Sequence, residues 1–389
     1  MKKSEALNIV QNVDLCYSNC KLITVDNCDI TYNDFFKNFM IRNLPCLIKN
    51  VSLSWESTRK WIKDNKINYD YFLEVYGDLD APVADCDSIH FNAHNKINMK
   101  VKDYFHYLKN DERDKLLYLK DWHLKRLRPN DTFYAVPEIF SSDWLNEFAN
   151  DHGDDDFMFV YIGPQNSWTP FHADVYSSFS WSVNVIGKKK WLLFPPGEEN
   201  KIKDKLGNPP LFYNDCKDKN LDIKYFEIIQ ETGDALFVPS GWHHQVVNIM
   251  DTISVNHNWV NGCNIEQMWT SLQNNLTSVE NEIEELRDTE EFSDQCQLIL
   301  KSVFGMDFNM FISFVTYIGK KRLSQAKGEN VDSNCELEMT HIIFDLKMVL
   351  KIMCLIQDHP LVLNNNLPPY IITYFMDTKT LISDFIKLD

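Results

Sequence analysis

At 389 residues, with 44% apolar and 13% aromatic side chains, the chain can build a large core and is long enough for appended units around it. A net charge of −17 argues against direct nucleic-acid binding, which needs a basic surface, and suits a basic protein or peptide partner. No run of about 18 apolar residues offers a membrane span, and MKKSEALNIVQNVDL lacks the apolar stretch of a secretory signal; the cytosol is the expected compartment, with the nucleus left open.

Residues 1–115 mix β-rich runs, ITVDNCDITY and LPCLIKN, with helical patterns around Ser57 to Asn65 and Met99 to Asn110, and read as an α/β extension. Residues 116–262 are different. From Phe157 onward FMFVYIG, FSWSVNVIG, KKWLLFPPG, FEIIQETGD, ALFVPSG, HHQVVNI and TISVNHNWV follow one another with Gly, Pro and Asp between them, the pattern of an antiparallel double-sheet barrel. Residues 263–389 switch to apolar positions three and four apart in MWTSLQNNL, CQLILKSVF and HIIFDLKMVLKIMCLI, predicting a helical region whose apolar stripes could serve a homodimer. Within it VENEIEELRDTEEF reads as a solvated helix face, and AKGENVDSNCE and LNNNLPPY as breaks. Ten cysteines without a CxxC pair read as reduced thiols, mostly buried.

Chemistry concentrates in SWTPFHADVYSSFSWSVNVIGKKKWLLFPPG and in GDALFVPSGWHHQVVNI. Alternation along a strand turns His172 and Asp174 to the same side. A histidine from the later segment would complete two imidazoles and a carboxylate on one face of a metal ion, leaving adjacent positions open as non-haem Fe(II) oxygenases require. His243 and His244 face opposite sides, and alternation does not choose between them. Two histidines and a carboxylate also serve zinc hydrolases, but no HExxH helix supplies the base such a site uses.

The strings SWTPFHAD, SWSVNVIGKKKWLLFPPG, VPSGWHHQVVN and DTISVNHNWV, with YLKDWHL upstream, resemble the jumonji C family of Fe(II)- and 2-oxoglutarate-dependent oxygenases, closely from Leu116 to Gly262. The resemblance implies a mainly β core, a double-stranded β-helix of the cupin or jelly-roll type, between the α/β extension and the helical C-terminal region. It implies His244 as the third ligand beside His172 and Asp174, and Lys189 as the anchor for the distal carboxylate of 2-oxoglutarate. Lys188 and Lys190 then face outward as solvated charges. Thr169 and Tyr118 match further cosubstrate contacts. A common family asparagine is replaced by Ser182, with Asn184 two residues on as an alternative, and Asn258 matches an asparagine near the metal, with Asn256 on the same face. Trp168, Trp181 and Trp242 read as wall packing.

Dioxygen and 2-oxoglutarate are thus the implied cosubstrates. The subgroup resembled is implied to hydroxylate a lysine in a translation termination release factor, so a protein lysyl hydroxylase is expected. The competing expectations are a histone or other protein lysine demethylase and a catalytically idle binding module.

Overall fold

The computed structural model describes residues 22–90, 93–110, 112–153, 155–205, 207–213, 222–329, 337–364 and 367–388. Cys16, Cys20, Cys216 and Cys335 lie outside them, as does the NVDSNCE part of the expected loop. Of the cysteines described, Cys46, Cys86 and Cys296 are buried, and all six are free thiols.

Fifteen strands are present among the described residues: β1 (Ile23–Asp26), β2 (Cys46–Lys49), β3 (Ile62–Lys63), β4 (Lys66–Ile67), β5 (Asp80–His90), β6 (Ala93–Lys100), β7 (Leu117–Trp122), β8 (Met158–Gly163), β9 (Trp168–His172), β10 (Phe179–Ile186), β11 (Lys189–Phe194), β12 (Phe226–Gln230), β13 (Ala235–Val238), β14 (His243–Asn248) and β15 (Thr252–Trp259). Nine form one sheet in the order β1-β2-β13-β10-β15-β8-β7-β5-β6, four form a second in the order β12-β11-β14-β9, and β3 and β4 make a small hairpin. All seven strand runs expected after Phe157 are present.

Alternation explains why two sheets enclose a polar interior. In β10, Phe179, Trp181, Val183 and Val185 lie on one face and join the main core, while Ser180, Ser182 and Asn184 lie on the other. β15 repeats this with Ile253, Val255 and Trp259 against Ser254, Asn256 and Asn258, and register pairs the small polar residues: Ser180 with Asn258, Ser182 with Asn256, Asn184 with Ser254. The apolar row packs beneath helices, each large side chain contributing about 1.5–3 kcal/mol by burial. The polar row lines the barrel. A second apolar cluster, with Leu47, Leu236 and Val238 from one sheet and Trp191, Leu193 and Val246 from the other, closes its far end.

The helices are α1 (Tyr69–Tyr76), α2 (Val101–Lys109), α3 (Trp144–His152), α4 (Ile265–Glu282), α5 (Phe292–Phe304), α6 (Phe308–Ala326), α7 (Met339–Gln357) and α8 (Pro369–Leu388), with shorter turns between. Two expectations shift. Of the stretch Ser57 to Asn65 only the first four residues are helical, within a helix spanning Glu56–Lys60, because the chain then turns into the β3–β4 hairpin. The acidic run VENEIEELRDTEEF is no single helix face: α4 ends at Glu282, a 3-10 turn covers Glu284–Leu286, and α5 starts at Phe292. The nine-stranded sheet also draws on strands before residue 116, with β5 hydrogen-bonded to β7 and β2 to β13.

Among the described residues no single helix is long and apolar enough to cross a membrane. The helical region is pinned to the barrel by Arg322 of α6, 1% exposed, which donates to Asp345 of α7 at 2.9 Å and to Glu147 of α3 at 2.7 and 2.9 Å.

Candidate metal centre and cosubstrate pocket

β14 and β9 run antiparallel with His244 directly opposite His172. The two rings lie 4.4 Å apart between centroids. Asp174 follows β9 in extended conformation (φ −65°, ψ 148°), so its side chain points the same way as that of His172. One ligand atom from each of the three lies within 4.8 Å of the others.

Backbone carbonyls orient both imidazoles. His172 Nδ1 donates to Pro170 O at 2.7 Å, and His244 Nδ1 to Trp242 O at 3.1 Å, which fixes the tautomer and turns each Nε2 lone pair toward the centre. Burial first, then the neighbouring His244, pushes His172 down to about 4, so the ring is neutral at physiological pH, as a ligand must be. Asp174 accepts from Ser180 Oγ at 2.7 Å on Oδ2, leaving Oδ1 for a metal. That contact depends on a sharp reversal: Tyr176 (φ 59°) and Ser177 (φ 50°) are left-handed, and they bring the start of β10 back beside Asp174.

The Gly-Trp turn places His244. Gly241 adopts φ 75°, a conformation that favours glycine, and Trp242, fully buried, donates from its indole to Asn43 O at 3.1 Å. His243 points the other way, stacked on Phe171 with Nδ1 3.8 Å from Glu199.

Deeper in the barrel lies Lys189, 2% exposed. Its Nζ donates to Ser254 Oγ at 2.6 Å and Ser182 Oγ at 3.4 Å and sits 5.9 Å from the ring centroids of both Tyr161 and Trp191. Neither acceptor is charged, and burial pushes its pKa down to about 7. Lys188 and Lys190 instead pair with Glu231 and Glu227 at 2.7 and 2.8 Å on the outer face.

The other expected residues fall at defined places. Tyr118 lies on β7, buried beside Tyr161, with ring centroids 5.9 Å apart. Thr169 pairs with Val246, and a register shift between this pair and His172–His244 puts residues three apart on one face. Ser182 touches Lys189, whereas Asn184 donates to Gln230 O at 3.0 Å. Asn258 donates to Ser178 Oγ at 3.0 Å, tying down the reversal after Asp174, and Asn256 donates to Ser254 Oγ at 3.1 Å. Trp181 and Trp242 are buried, while half-buried Trp168 meets His94 and Phe212 edge-on.

Sequence reasoning missed Ser180, Ser254 and Tyr161. These could have been found by carrying the alternation through β8, β10 and β15.

The donor set fits Fe(II): two imidazole nitrogens and one carboxylate oxygen converge, the combination that non-haem iron oxygenases use. A buried ammonium with no carboxylate partner among the described residues fits an incoming dicarboxylate. Comparisons with known proteins agree. A family model described as a cupin-like domain matches residues 32–265. The chain is 43% identical over 350 residues to the 2-oxoglutarate and iron-dependent oxygenase JMJD4 of Gallus gallus, covering 83% of this chain and 82% of that one. It is 41% identical over 347 residues to the human protein of the same name, covering 85% and 83%, and 35% identical over 356 residues to the arginine-specific demethylase JMJ20 of Arabidopsis thaliana, covering 84% and 77%. Identity of this order across more than four-fifths of the sequence makes the chain a member of the JMJD4 family of jumonji C oxygenases, which depend on iron and 2-oxoglutarate.

Proposed function

We propose that this oxygenase hydroxylates a side-chain carbon of a protein substrate, a lysyl residue of a translation termination release factor. The observation that carries the reading is the 41–43% identity to proteins named for oxygenation rather than for removal of a methyl group. The acidic balance of −17 suits a lysine-bearing partner.

With iron bound, the centre would couple oxidative decarboxylation of 2-oxoglutarate to hydroxylation of a substrate C–H bond, using dioxygen and releasing succinate and carbon dioxide. His172, Asp174 and His244 would hold the metal, and Pro170 O, Trp242 O and Ser180 Oγ keep those three side chains in position. Lys189 would anchor the distal carboxylate of the cosubstrate, with Ser182, Thr169 and Tyr118 around it, and Asn256 and Asn258 support the wall between that pocket and the metal. The anchor gains from burial, because a charge-assisted hydrogen bond is worth more where water is excluded.

Incubation with Fe(II), 2-oxoglutarate and release-factor peptides, followed by mass measurement, tests the assignment. Gain of one oxygen on a lysine supports it. Loss of a methyl group with release of formaldehyde would support the second reading, a protein demethylase, which the 35% identity to the Arabidopsis relative favours. Failure of all peptides, with no succinate formed and no metal-dependent 2-oxoglutarate binding, would leave a binding module. We also place the protein in the cytosol with access to the nucleus, and propose that the helical region forms a homodimer, for which a monomeric mass in solution would be fatal.

A further inference from the structure

Asn146 on α3 is buried, and its side chain is bonded in three directions. Oδ1 accepts from Phe157 N at 2.7 Å, while Nδ2 donates to Asn258 O at 3.2 Å and to Asp143 Oδ2 at 2.5 Å. These partners fix the amide's orientation, because turning it over would set its NH2 against a backbone N–H and its oxygen against a carbonyl and a carboxylate. Asp143, the N-cap of α3, also accepts from Asn146 N at 2.9 Å, and Trp144 N donates to Val260 O at 2.8 Å, so the first turn of α3 is tied to the end of β15. Asn258 N in turn donates to Phe157 O at 3.0 Å. Asn146 thus clamps the end of β15 to the chain entering β8. The next residue, Glu147, accepts from Arg322 of α6, so the same turn of α3 also carries the helical region.

Both residues that Asn146 holds brace the reversal after Asp174. Asn258 Nδ2 donates to Ser178 Oγ at 3.0 Å, and the ring of Phe157 meets that of Tyr176 edge-on at 5.7 Å. Tyr176 and Ser177 are left-handed, a strained conformation that persists only where neighbours over-determine it. The reversal carries the chain to Ser180, which pairs with Asn258 in the sheet and donates to Asp174 Oδ2 at 2.7 Å. We propose that Asn146 is a positioning residue for Asp174: through Asn258 and Phe157 it holds the reversal in the shape that lets Ser180 take Oδ2 and leaves Oδ1 for iron. Aspartate at this position would lack the donor for Asn258 O, and alanine would leave both Phe157 N and Asn258 O without it. This reading rests on Asp174 as an iron ligand.

Metal binding is read without oxygen in two ways: Fe(II) affinity by competition titration, and the visible absorption of bound Co(II), whose position and intensity follow the coordination geometry. Asn146→Ala should weaken Fe(II) by about 10-fold, the scale of losing a group that supports a metal ligand, and change the Co(II) spectrum at saturating metal. Ser178→Ala cuts the same path at its far end without touching α3. It should change the spectrum in the same direction, and it carries the test if Asn146→Ala does not fold. Asn146 and Ser178 share no hydrogen bond, so independent effects on affinity would multiply. The double variant should instead weaken Fe(II) by clearly less than the product of the single effects. Asn68→Ala removes an asparagine that caps α1 and donates to Lys60 O, and should lower the melting temperature while leaving both metal readouts unchanged. A lower melting temperature for Asn146→Ala with normal affinity and a normal spectrum would make its role structural and overturn the proposal. Multiplicative effects in the double variant, or Fe(II) binding weakened as much by Asn68→Ala, would overturn it too. If Asp174→Ala kept full Fe(II) affinity, the ligand reading itself would fail whatever Asn146 does.

Discussion

Asp174 has a single oxygen left to offer a metal because Ser180 holds the other. Ser180→Ala should therefore weaken Fe(II) binding by about 10- to 100-fold while leaving the barrel folded, checked by metal titration beside a melting curve. Asp174→Ala should abolish 2-oxoglutarate turnover with little change in the circular dichroism spectrum; near-normal succinate formation would contradict the ligand assignment. Buried histidines give a pH signature. Burial drives His257 down to about 3, its ring stacked on Trp181 and bonded through Nε2 to Tyr134. Between about pH 3 and 6.5 the unfolded chain binds a proton there that the folded chain does not, so this residue makes stability fall as pH drops through that window. Denaturant midpoints from pH 7 to 4 should decline, and His257→Gln should flatten the slope.

At the scale of elements, the seven barrel strands were legible because each is a short apolar or alternating run between turn residues. The β5–β6 hairpin was not, since APVADCDSIH and AHNKINMK alternate poorly and half of their side chains face water. His172 and Asp174 follow from alternation alone. Choosing His244 over His243 requires knowing which residue of β14 lies across from His172, a tertiary fact that no single strand encodes. The grip of Ser180 on Asp174 was equally hidden, because it hangs on left-handed Tyr176 and Ser177, neither of which advertises that conformation. Close approach also shapes the pocket wall. A Cβ on Gly163 would stand 2.5 Å from Asn248 Nδ2 and 2.6 Å from Tyr118 Cδ2. Gly163→Ala should cost about 1–3 kcal/mol and, by displacing Tyr118, loosen 2-oxoglutarate binding, measured by denaturant unfolding and calorimetry.

For the whole molecule, the helical region is bound to the barrel by a buried ion network rather than by apolar packing alone. Trp144 donates to Asp345, and Arg322 bridges that carboxylate to Glu147. The pKa of Asp345 is nevertheless raised by burial, which outweighs the pull of Arg322. Arg322→Ala should lower stability by about 3–5 kcal/mol, because two carboxylates lose their partner in a low-dielectric setting. Replacing Arg322 and Asp345 together with Met and Leu should regain part of that loss, as urea midpoints would show. Periodicity foretold the helices around this network but not the network, since a lysine or arginine in an amphipathic pattern normally signals the solvated side.

Two of the three candidate metal ligands sit on or just beyond β9, the outermost strand of the four-stranded sheet, which among the described residues has a strand neighbour on one side and on the other only the hydrogen bond from Phe171 N to Leu211 O. Edge strands open locally at lower free energy than strands flanked on both sides. Iron can then exchange by transient detachment of β9 while β10 and β15 stay paired, so loading and loss of the metal need no global unfolding. Amide hydrogens of β9 should exchange rapidly in the metal-free protein and slow sharply on adding Fe(II), with those of β10 and β15 protected in both states.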